Sequence, residues 1–81
     1  MKYPIYVIRD IKTTYLTPTI DFNDASAMRN FSHVLKQEGS VLHSSPQDYS
    51  LWKIGVFDNE TGDLENMLPE LVMEGSSVPQ E

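Results

Sequence analysis

Between Tyr49 and Glu65 the segment YSLWKIGVFDNETGDLE allows little besides a β-hairpin. Leu51 to Phe57 is aromatic and β-branched, the composition of a strand packed on a pleated surface. Asp58-Asn59-Glu60-Thr61-Gly62 then supplies a turn, with Gly62 placed to take the left-handed position. Asp63-Leu64-Glu65 alternates and runs back antiparallel. Gly55, inside the first strand, predicts a bulge or a close approach by another backbone or a ligand. Neither Gly55 nor Lys53 is obviously required for packing, which makes both candidates for another role.

A hairpin alone is not stable in water, so the rest of the chain must cover it. Tyr3 to Arg9 reads as a strand with Tyr3, Ile5 and Val7 on one face and Tyr6 and Ile8 on the other. Pro4 lacks an amide donor, so it belongs at the start of that strand or on a sheet edge. Asp10 to Thr14 is a polar connection, and Tyr15 to Phe22 is extended, with Pro18 limiting how much of it can pair. One helix is clear. Asn23 is its N-cap, Asp24 places a carboxylate at the positive end of the dipole, and Ala27, Met28, Phe31, Val34 and Leu35 form an apolar stripe. Lys36 falls in the last turn and Gly39 at the terminating position, so the helix is expected over Asp24–Glu38. Phe22 is placed to staple back onto Ala27. Ser40 to Asp48 reads as a loop; Leu68 to Met73 fits either a short helix or a last edge strand. The fold class expected is α+β: a small antiparallel sheet of three or four strands with one helix packed on one face. Residues 1–74 make a single domain, and 75–81 a polar, disordered tail.

The chain has 81 residues and no cysteine, so its core is thin and lacks disulfide staples. Chains of this kind often gain stability by self-association, and a homodimer is one expectation. The first apolar run is too short for a signal core or a membrane span, which predicts no membrane association and a protein that stays in the cytoplasm where it is made.

Catalytic chemistry finds little support. The four glycines are isolated, with neither a phosphate loop nor a nucleophile elbow. His33 and His43 sit ten positions apart with no ligand pattern around them, which predicts no metal and no cofactor. Asp58, Glu60 and Asp63 crowd a wet turn tip, whereas general acid–base work needs a sheltered group. The expected class is therefore not an enzyme.

Charge is unevenly distributed. Residues 1–37 hold five basic and three acidic side chains, and residues 38–81 hold one basic, Lys53, and nine acidic. An acidic second half argues against a peptide that coats DNA by neutralising phosphates. Single-strand binding has a partial signature all the same. Tyr3, Tyr6, Tyr15, Trp52 and Phe57 lie on expected strands, with Lys2, Arg9, Lys12 and Lys53 nearby. Aromatic platforms beside cations stack bases, although the same aromatics also suit the core of a small sheet. If single-stranded DNA is the ligand, Tyr6, Arg9, Lys12, Trp52 and Lys53 should line one exposed face.

Three stretches together carry a family resemblance. They are Ile8-Arg9-Asp10, then Asn23-Asp24-Ala25 with Arg29 and Phe31, then Pro46-x-Asp48-Tyr49-x-Leu51-x-x-Ile54-Gly55-x-Phe57-Asp58-x-x-Thr61-Gly62. Their order and spacing resembles the small nonstructural protein, the fifth-gene product, of gokushoviruses, single-stranded DNA phages of the microvirus family. The likeness spans about residues 1 to 66. It implies a bacteriophage protein of the host bacterial cytoplasm, absent from the mature virion, acting in viral DNA replication or at the switch to single-stranded genome synthesis. A DNA-binding label goes with the family, and no catalytic residue does. The resulting expectation is an accessory protein that binds single-stranded DNA or a viral replication protein. The alternative is a protein-interaction module, a homodimer docking on a viral or host protein without nucleic-acid contact.

Overall fold

The computed structural model describes residues 1–78. Strand β1 (Lys2–Asp10) is followed by a short β2 (Thr19–Ile20), helix α1 (Asp24–Lys36), a single turn α2 (Val41–Ser44), and the hairpin of β3 (Tyr49–Asp58) and β4 (Leu64–Glu74). The four strands form one antiparallel sheet in the order β2-β1-β3-β4, with α1 on one face. This is the α+β architecture expected.

The hairpin turn is built as its residues dictate. Asp58 Oδ1 accepts from the Glu60 amide at 2.9 Å, and the Gly62 amide donates to the Asp58 carbonyl at 2.8 Å. Gly62 has φ 81°, the left-handed position that glycine takes without steric cost. Helix α1 starts where expected, Asn23 Oδ1 accepting from the Ser26 amide at 2.9 Å. It stops at Lys36, two residues earlier than the apolar spacing suggests; Gln37 is already extended and Gly39 carries the left-handed turn beyond it.

Three local expectations need correction, and one open alternative is resolved. Phe22 does not staple onto the helix: it is 74% exposed and meets the Tyr3 ring edge-on, centroids 5.9 Å apart. The Ser40–Asp48 segment holds α2 and a 3₁₀ turn at Pro46–Asp48, because the Ser40 hydroxyl caps the Leu42 and His43 amides. Of the two alternatives for Leu68 to Met73 the structure takes the edge strand: Leu64 to Glu74 is one continuous strand, the longest in the sheet, and Pro69 is accommodated where the ladder skips from Glu70 to Asn66. The segment from Gly75 is not a disordered tail as far as Val78. Gly75–Ser77 turns in a 3₁₀ helix and returns Val78, 4% exposed, to the core. Gly75 makes this possible, since a Cβ there would collide with the carbonyl oxygens of Pro46 and Tyr49. Residues 79–81, the remainder of that expected tail, lie outside the described residues.

The main core cluster lies on the helix side of the sheet, and Val7 is buried on the other face beside Tyr15, Leu16, Pro18, Ile54 and Pro69. Tyr6, Tyr49 and Leu51 from the strands meet Ala27, Phe31 and Leu35 from α1, with Val78 closing the cluster. The molecule is elongated, 41 by 22 by 19 Å. A half-open cleft of about 260 Å³ lies between α1 and the Thr17–Asp21 segment, and Asn30 Nδ2 donates to Asp21 Oδ2 across it at 2.7 Å.

Candidate functional site

Residues directly opposite one another in a ladder share a face of the sheet, and consecutive residues along a strand alternate. Applied to the registers, four rows cross β1, β3 and β4 on the face away from α1. They are Arg9–Ser50–Glu74, Val7–Trp52–Leu71, Ile5–Gly55–Asn66 and Tyr3–Phe57–Leu64. Ile54 occupies the bulge between the second and third rows, where it lines an apolar depression with Val7, Tyr15, Leu16, Pro18 and Pro69. No helix covers this face. Val7 is buried there all the same, while Trp52 and Ile54 are half-buried and Leu71 is exposed.

The five residues expected on one DNA-facing surface are not brought together. Arg9 and Trp52 lie on the open face, and Tyr6 and Lys53 lie beneath the helix. Strand periodicity forbids the original grouping, because Trp52 and Lys53 are consecutive and Tyr6 and Arg9 differ in parity. Lys12 sits in the exposed Ile11–Thr14 connection, its amide held by Asp10 Oδ1 at 3.0 Å. On the open face the Arg9 guanidinium lies 5.7 Å from the centre of the Tyr15 ring, and Trp52 Nε1 donates to Ser50 Oγ at 2.7 Å.

Beneath the helix the remaining two residues belong to a structural triad. The buried Tyr6 hydroxyl donates to Asp24 Oδ1, the same oxygen that Lys53 Nζ approaches at 3.2 Å. Burial, with Asp24 beside it, pushes the Tyr6 hydroxyl far above the ordinary tyrosine range. The Tyr6 hydrogen bond, helped by Lys53, lowers the Asp24 carboxyl despite partial desolvation. The triad thus ties the first turn of α1 to both central strands, which explains Lys53 without a ligand. Gly55 is explained too: a Cβ would come within 2.5 Å of the Glu65 carbonyl oxygen, at the bulge anticipated there.

Sequence reasoning missed Leu71 and Glu74 as members of this surface. The residues around Leu71 suit helix and strand alike, and its facing depends on the skipped residues around Pro69. The available signal was the alternation Tyr3, Ile5, Val7, Arg9 in β1, which puts an apolar row and a cation on the face opposite Tyr6 and Ile8.

Comparison with curated proteins and with solved structures finds no match. A family model described as Phage ORF5 protein matches residues 3–78, nearly the whole chain, and the chain belongs to that family.

Proposed function

We propose that this phage accessory protein catalyses no reaction and works by contact, docking the open face of its sheet on another protein. Its setting would be the cytoplasm of a bacterium infected by a gokushovirus-like, single-stranded DNA phage. There it would act in viral DNA replication or at the switch to single-stranded genome synthesis, and be left out of the mature virion. The observation that carries the docking mode is the composition of the open face. Trp52, Ile54, Phe57, Leu64 and Leu71 place half-buried or exposed apolar and aromatic groups there, with one cation, Arg9, in the strand rows. Aromatic-rich, charge-poor centres suit protein partners, whereas strand-tracking nucleic-acid grooves need several cations. Lys53, which the DNA reading counts on, is engaged by Asp24 under the helix.

Single-stranded DNA is a second reading, favoured by Arg9 stacked on Tyr15 near Trp52. A titration with a single-stranded oligonucleotide at low salt separates the two. The protein reading expects unchanged Trp52 emission and no mobility shift; a quench that weakens with salt, accompanied by a shift, overturns it. In infected cells, Trp52→Ala and Leu71→Lys should lower single-stranded genome yield while the duplex form accumulates normally. Unchanged yield with both variants would refute the role in genome synthesis.

A further inference from the structure

We infer that the open face is a self-complementary surface whose occupant is a second copy of this chain, related by a two-fold axis running along β3. The inference rests on the protein-docking reading of that face and names its partner. The argument starts from the rows. A two-fold axis parallel to β3, passing over the centre of each three-strand row, lays β1 of one copy over β4 of the other at the same height. Each row then meets itself reversed. Trp52 meets its own counterpart at the centre, Arg9 faces Glu74 of the second copy, and Leu71 faces the second copy's apolar depression over the buried Val7.

The charges make the surface complementary to itself. Arg9 and Glu74 end one row on opposite sides of Ser50, and both border the same depression with Trp52. Among the described residues neither takes part in an ion pair. Packing two sheets about 10 Å apart at roughly −30° keeps such facing residues within reach of long side chains. The other route to a dimer, pairing along the exposed β4 edge, is disfavoured. A two-fold across that edge brings together strands that each carry Glu65, Glu70 and Glu74, and Pro69 interrupts the ladder. A cysteine-free chain whose main core cluster lies under one helix also has the physical need that a dimer would meet.

The test is the oligomeric state of the full chain by analytical ultracentrifugation, with charge reversals at the row ends. The wild type is expected to sediment as twice the 9.2 kDa chain. Arg9→Glu and Glu74→Arg should each weaken the dimer by at least about tenfold, because each places like charges together. The double variant Arg9→Glu/Glu74→Arg should regain wild-type association, since the swap restores the pairing in the other sense. Circular dichroism confirms folding of each variant, and the milder Arg9→Gln and Glu74→Gln serve if a reversal does not fold. A monomeric wild type overturns the proposal. So does a dimer indifferent to the single changes, or one that the double swap fails to rescue. Each of these leaves the protein-docking reading to be judged separately, by the oligonucleotide titration.

Discussion

On the face beneath α1, Tyr6, Tyr49 and Leu51 meet Ala27, Phe31 and Leu35; on the opposite face, Trp52, Ile54 and Leu71 from the same sheet meet solvent. The two faces are similarly apolar in residue type. They differ in what a single chain of this length can supply: one helix of 13 residues covers one face at one end. Core residues therefore hold the fold, and open-face residues are left for association. A buried side chain loses water only when a partner is present, so the energetic value of the open face depends on concentration and that of the core does not.

Substitutions in the core should show the largest effects. Phe31→Ala is expected to cost about 3–5 kcal/mol by urea denaturation, through lost burial and the cavity left behind. A cost near that of a surface change would mean that the helix side is not the core. Next comes Gly75→Ala, expected to cost about 1–3 kcal/mol, because the added methyl must displace the Pro46 or Tyr49 carbonyl. An indifferent Gly75→Ala would detach the Gly75–Val78 turn from the core side.

Tyr6→Phe should cost less, about 0.5–1.5 kcal/mol, and its pH dependence is more telling. The folded state holds the Tyr6 proton more tightly than the unfolded chain does, so that contribution is full below the unfolded tyrosine pKa and is lost progressively as pH rises from there through the higher folded one. Tyr49 is raised as well, chiefly by burial, so alkaline loss should persist in Tyr6→Phe but with a shallower slope. The lowered Asp24 carboxyl acts in the opposite sense, contributing above its unfolded pKa and fading as pH falls through the folded one. Tyr6→Phe should therefore also soften the acid limb. Stability curves against pH for the two proteins check both limbs.

The smallest effect belongs to the open face. Leu71→Ser at high dilution should change stability by less than about 0.5 kcal/mol, as for other surface sites. At high concentration the same substitution should lower the melting temperature relative to wild type. A large effect at dilution would make the two faces alike and remove the distinction.

Much of this was legible in the residues. The hairpin, its Asp58–Gly62 turn, the Asn23 cap and the helix stripe are local features, decided by turn geometry, capping and periodicity within a few neighbours. The parity of β1 already separates Tyr6 from Arg9, which face opposite sides of the sheet. What could not be read locally was β4. Its continuity past Pro69 depends on pairing with β3, and the facing of Leu71 and Glu74 depends on how many residues the ladder skips.

Gly75 and Val78 make the same point from the other end of the chain. By composition they resemble a polar tail, yet the space between Pro46 and Tyr49 admits only a glycine and so returns Val78 to the core.

The sequence by itself determined the hairpin, the helix and the α+β class, because each rests on interactions between residues close along the chain. Only the tertiary structure decided which face the helix covers, and with it the roles of Tyr6, Lys53 and the open-face rows. That choice is made by contacts between residues such as Tyr6 and Asp24, or Arg9 and Ser50, whose separation along the chain hides them until the strands are paired.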